Sequence, residues 1–253
     1  MEDKFAILEL KYGNIYGGYP NFFAISEIAL LVFEPDTKRI FLESWSNNAD
    51  IDYVAVDTKV NEFGHTLERY RTVVNMRTRR RKDFDEEFKL EEEPLQEAFN
   101  KLRSTRTNVK RFLTNNFRKY RVNTLFTFDG RRDLFLCERS GVMFDRMQIV
   151  DLQREVNQET NYLFSLKKLG TVAGFDFDGN YVRSNNEEYW LHPIAARQIM
   201  PRSAAFDAAK LLMCQREFVR HQDDFLIRAA QLLQKIENEE KLKASLARAE
   251  EVE

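Results

Sequence analysis

Hydrophobic and polar positions change their period along the chain, and the changes mark out elements. Phe5-Ala6-Ile7-Leu8-Glu9-Leu10, Phe23 to Phe33 and Arg39-Ile40-Phe41-Leu42 are β-rich runs separated by turn signals, which predicts a three-stranded meander. Glu34-Pro35-Asp36-Thr37 supplies the tight turn between the second and third runs. The first connection, Tyr12 to Pro20, is glycine-rich but lacks the Gly-Lys-Ser/Thr ending of a phosphate loop and reads as a loop only. Pro94 then opens a helix with Leu95, Phe99, Leu102, Val109, Phe112 and Leu113 at helical spacing. Beyond it, strand and helix alternate. Val122 to Phe128 is a short buried-type strand, Leu134 to Arg139 a helical run, Met147 to Leu152 a strand and Ser165 to Leu169 a short helix. This is α/β order. A long helix runs from about Ser203 to His221, and a second from Gln222 to Glu253 loses its apolar face beyond Ile236.

Composition adds bounds rather than identity. With 253 residues and 43% hydrophobic content, the chain reads as one globular domain or one domain with an appendage. A chain of this size can bury roughly three quarters of its unfolded surface. Two cysteines, Cys137 and Cys214, are too few for a secreted disulfide framework and fit a reducing cytosol. No signal peptide and no apolar run of membrane-spanning length appear, so the expected location is cytoplasmic, with no membrane partner. The 39 basic and 41 acidic residues give a net charge of -2, which excludes a wholly basic nucleic-acid binder but conceals local patches. Between Trp45 and Lys89 the pattern weakens. There a basic block from Arg69 to Lys82 abuts an acidic one from Asp83 to Glu93, and about 47–93 reads as a solvated, charged insertion outside the core sheet. Residues 101–121 carry Lys101, Arg103, Arg106, Lys110, Arg111, Arg118, Lys119 and Arg121 without one acid. Phe112, Phe117 and Tyr120, interleaved with them, either stack nucleic-acid bases or face the core. Asp176 to Asn180 misses the spacing of a calcium loop and reads as a turn. His65, His192 and His221 lack Cys or His partners at ligand spacing.

Taken in order, several short segments resemble the DEDD-type 3′-to-5′ exonucleases of the proofreading-subunit family. Ile7-Leu8-Glu9-Leu10-Lys11 is similar to that family's Asp-x-Glu strand, and Ile25-Ser26-Glu27-Ile28-Ala29 to the strand after it. Phe128-Asp129-Gly130-Arg131-Arg132-Asp133-Leu134-Phe135-Leu136 is similar to the second motif. Val150-Asp151-Leu152 and Ser165 to Leu169 follow in the family's order, and Arg202-Ser203-Ala204-Ala205-Phe206-Asp207-Ala208 resembles the third motif. The resemblance implies an RNase H-like mixed sheet flanked by helices, spanning 1–221 with the insertion inside it and 222–253 as a helical extension. It also implies a site at Glu9, Lys11, Asp133, Arg202 and Asp207, where carboxylates of the family hold two Mg²⁺ or Mn²⁺ ions that generate a hydroxide nucleophile.

Three of these five positions depart from the family pattern. Glu9 replaces the bridging Asp. Lys11 replaces a carboxylate with a group that has only donors, and Arg202 replaces the histidine base with a guanidinium that does not deprotonate. Glu9, Asp133 and Asp207 remain as a weak or vacant metal set, so no cofactor is expected unless the chain is active, in which case Mg²⁺ or Mn²⁺ is required. The structural alternatives are that Asp133 caps a helix and Lys11 is an exposed strand end. Three functions follow as expectations. The first is a nucleic-acid-binding, exonuclease-like protein with a degraded site. The second is a protein-interaction subunit using the apolar stripe Phe225, Leu226, Ala229, Leu232, Leu233 and Ile236. The third is an active exonuclease with an atypical metal set that adds Glu27 or Asp129.

Overall fold

The structure is a computed structural model that describes residues 4–14, 23–47, 52–60, 66–75, 81–83 and 95–250. Strand β1 (Phe5–Asn14) is central. It pairs antiparallel with β2 (Phe23–Glu34), and β2 pairs antiparallel with β3 (Arg39–Ser46). The predicted meander is therefore present, and Thr37 donates to Glu34 across the expected turn at 3.2 Å. The glycine-rich connection lies outside the described residues for most of its length.

The region read as a patternless insertion contains β4 (Asp52–Val60), β5 (Thr66–Asn75) and β6 (Arg81–Asp83), joined by antiparallel ladders. It is not separate from the core sheet, because Val54 pairs with Asn14 at the end of β1. High charge hid a β-prone run, Tyr53-Val54-Ala55-Val56, which propensity alone favours as strand.

After α1 (Leu95–Tyr120) come β7 (Thr124–Thr127), α2 (Arg131–Arg139) and β8 (Gln148–Asp151). Strands β7 and β8 are parallel to each other, and β7 is parallel to β1. The sheet thus has eight strands, with β4-β5-β6 attached at the end of β1, and its mixed five-strand core has the order β3-β2-β1-β7-β8. Helix α3 (Leu152–Thr160) follows β8 with no loop, since Asp151 both ends the strand and caps the helix by accepting from the Gln153 N–H. Then come α4 (Leu166–Ala173) and a small antiparallel sheet of β9 (Asp176–Asp178), β10 (Tyr181–Arg183) and β11 (Glu188–Trp190). The segment read as a turn, Asp176 to Asn180, is β9 and the β9–β10 turn, with Gly179 left-handed at φ 59°. Helices α5 (Pro193–Ala196), α6 (Ala204–Arg220) and α7 (Gln222–Glu250) complete the chain.

Both faces of the sheet are covered, so β1 and β2 are apolar on both sides. Residues Phe5 and Ile7 of β1 join Leu31 and Phe33 of β2 under α4, α6 and the start of α7. Ala6, Leu8 and Leu10 face the other way, under Val109, Leu113 and Phe117 of α1 and Leu136 of α2. Among the described residues, no helix is long and apolar enough to cross a membrane.

Candidate functional site

The alternation that buries Phe5 and Ile7 under α6 places Glu9 and Lys11 on the same face, farther along β1. Helix α6 is fixed at its start by two acceptors. Ser203 caps it by accepting from the Phe206 N–H at 3.1 Å, and the Glu27 carboxylate takes the Ala204 N–H at 3.0 Å. These contacts set Asp207 against Lys11, whose ammonium donates to Oδ2. Lys210, one turn along, donates to Oδ1 at 3.1 Å. Its aliphatic stem lies where a Gly170 side chain would begin, and its ammonium sits 4.7 Å from the Phe206 ring centroid. Both oxygens of Asp207 are therefore held by lysines.

Asp133 reaches the cluster from α2. Strand β7 pairs with β1 only at Ala6 and Ile7, so the edge beyond them is open to the start of that helix. The Leu10 backbone N–H reaches the Asp133 carboxylate and favours its charged form, as does Lys11. Loss of solvation outweighs them, and the group is pushed up to about 7. Glu9 lies deeper, with 8% of its surface exposed. Burial first, and then the charge of Asp133, raises its carboxyl well above the usual range against the pull of Lys11. Its Oε1 has no hydrogen-bond partner among the described residues. Burial works against the charge of Lys11, yet Asp207 beside it leaves the ammonium more basic than usual.

The structure thus brings Glu9, Lys11, Asp133 and Asp207 together. It does not bring in Arg202, which is exposed with a left-handed backbone, φ 71°, and has no hydrogen bond or ion pair to these carboxylates. The second fixed cation is Lys210. The structural alternatives for two positions also give way. Helix α2 starts at Arg131 rather than Leu134, with Gly130 as its N-cap, so Asp133 makes no capping bond. Lys11 is in a strand that continues to Asn14, and its side chain is 37% exposed. Glu27 serves α6, and Asp129 turns away to donate its N–H to Asp151 Oδ1 at 3.1 Å. His192 accepts from Ile194 N–H, and His221 meets Glu187 at 3.2 Å.

Two divalent cations, which the family resemblance implies, do not fit this donor set. A metal needs lone pairs, and those of Asp207 facing the cluster are taken by ammoniums. Among the described residues, no group of three or more His, Cys, Asp or Glu side chains is placed to hold a metal ion.

Helix α1 sorts its basic stretch from its aromatics. Phe117 is buried against Phe144, and Phe112 and Tyr120 pack against the same core, so the interleaved aromatics are not a stacking surface. Tyr120 and Lys119 both donate to Glu43, and Lys101 pairs with Glu97 at 3.5 Å. Arg103, Lys110, Arg111, Arg118 and Arg121 are exposed, and Arg106 is half-buried. On α7, Phe225 and Ala229 are fully buried and Leu226, Leu232 and Leu233 pack on the same cluster. The stripe is mostly spent within the domain.

Sequence reasoning missed Lys210, although Asp207-x-x-Lys210 on a helix is the three-residue spacing that lets opposite charges meet. Comparison with models of known protein families, with curated proteins and with solved structures found no match.

Proposed function

We propose that this chain is an exonuclease-like nucleic-acid-binding protein, of RNase H-like architecture, that does not hydrolyse its ligand. The observation that carries the reading is the clamping of Asp207 by Lys11 and Lys210 beside Glu9 and Asp133. Four positions taken from three motifs meet beside one central strand, which supports the family alignment. The chemistry at that place has changed. Hydrolysis by two metals requires cations that can acidify a water and absorb charge on the phosphate. Ammoniums balance the carboxylates electrostatically but offer no coordination position. Binding draws its support from α1, whose outward face is basic and free of acids from Lys101 to Arg121.

Two measurements on the full chain test the proposal. A labelled strand incubated with Mg²⁺ or Mn²⁺ should stay intact, and the same strand should bind with an affinity that falls steeply with salt. Digestion that disappears in Asp133→Ala or Asp207→Ala would overturn the loss of hydrolysis. Absence of binding at low salt would overturn the ligand class.

A further inference from the structure

Helices α1 and α2 enclose a groove of about 680 Å³, whose walls carry Arg103, Arg106 and Lys110 from α1 and Arg139 from the end of α2. We propose that this groove is the phosphate-binding track for single-stranded nucleic acid, with Arg139 completing it; the proposal rests on the nucleic-acid reading above.

The four cations lie together with no ion-pair partner among the described residues, whereas Lys101, Lys119 and Arg183 of the same molecule each find an acid. The interior of the groove works against charge without removing it. Burial and the nearby charge of Arg139 both make the Arg106 guanidinium easier to deprotonate, which marks two like charges held close in a partly dry setting. A guanidinium remains charged regardless, so the repulsion is relieved only by an anion placed between the two. Phosphate matches that demand, because its oxygens accept the paired N–H donors of an arginine fork.

The apolar features of the groove favour a nucleic acid over an acidic peptide. Phe99 is 50% exposed on the groove wall, and Phe135, 53% exposed, lies 5.6 Å from the Arg139 guanidinium. Exposed rings beside arginines can stack bases while the guanidiniums hold the backbone, and stacking tolerates any base. The core aromatics Phe112, Phe117 and Tyr120 cannot do this. Helix α2 contributes to both the groove and the carboxylate cluster. Asp133 and Arg139 are six residues apart on α2, a rise of about 9 Å along the helix.

The test is anisotropy of a fluorescent oligothymidylate with the full chain over a series of salt concentrations. Arg103→Gln with Arg139→Gln removes two exposed side chains, and an unchanged thermal midpoint confirms the fold. Affinity should fall about tenfold, and the slope of log affinity against log salt should shrink by about 0.7 for each phosphate that the protein no longer neutralises. Lys167→Gln with Arg197→Gln, two exposed cations on α4 and at the end of α5, should leave both nearly unchanged. If this control variant weakens binding and the groove variant does not, the track is elsewhere and only this inference fails. If wild-type protein ignores the oligonucleotide, whether or not it captures a fluorescent polyglutamate, this inference and the ligand class fail together.

Discussion

The ammonium of Lys11 and the carboxylate of Asp207 meet across 196 residues of sequence, one from a central strand and one from a helix packed on it. With Lys210 on the other oxygen, the aspartate is satisfied by the protein itself. The first prediction is about metal affinity. Lys11→Glu with Lys210→Gln frees Asp207 and adds a carboxylate, so Mn²⁺ binding followed by paramagnetic resonance should strengthen at least about tenfold over wild type. Arg202→His alone should change nothing, because Arg202 has no contact with the cluster. Equal Mn²⁺ binding by wild type and the double variant would refute the lysine clamp as the cause.

Asp133 makes stability depend on pH in a direction opposite to most carboxylates. Its folded value of about 7 exceeds an unfolded value near 4. Between those values the folded state binds more protons than the unfolded one, so this group's contribution falls as pH rises through the window. Glu9, also raised, acts in the same sense. Asp133→Asn should therefore stabilise the protein at pH 8 by roughly 1–4 kcal/mol and leave it little changed at pH 4. Urea unfolding at the two pH values measures this. A variant that is less stable at pH 8 would show that the charged carboxylate is needed.

How much of this was legible in the sequence differs by residue. Glu9 and Lys11 announce a shared face by strand alternation, and their partner Asp207 follows from the order of motifs. Lys210 was visible only as an i, i+3 partner of Asp207. Arg202 was misplaced because its resemblance to a motif position says nothing about its left-handed backbone. Helix α3 escaped notice because Asp151 ends one element and caps the next, leaving no loop to mark the boundary. Strands β9 to β11, three residues each, are too short to show a period.

The docking of α7 gives a stability prediction. Glu217 is fully buried and accepts from Ser184, from Asn186 twice and from Arg228 at 2.6 Å. Arg228 also donates to the Val172 carbonyl at 3.1 Å, tying α7 to α4 and α6. Arg228→Ala strands a buried carboxylate without its cation and should cost about 2–4 kcal/mol. Hydrogen exchange should then quicken in α7 before it quickens in the central sheet. Uniform acceleration throughout would mean that α7 is not a separable unit.

Gly130 positions Asp133 by absence of a side chain. It is the N-cap of α2, and a Cβ there would fall 2.3 Å from Thr127 Oγ1, an atom buried in β7 with no hydrogen-bond partner among the described residues. The methyl cannot be accommodated by a flexible chain end, because Thr127 is 1% exposed and its strand is paired on both sides. Gly130→Ala should therefore shift the start of α2 and cost about 1–3 kcal/mol. Gly179 offers the contrast. A methyl there would meet no atom within 4 Å, but φ is left-handed at 59°, so Gly179→Ala should cost only about 1 kcal/mol, from backbone strain alone. The two variants also differ at a distance. Only Gly130→Ala should loosen the Leu10 contact, which favours the charged carboxylate, and so push the Asp133 titration, followed by carboxyl carbon NMR, further up from about 7. An unchanged Asp133 titration in a folded Gly130→Ala protein would separate the cap from the site.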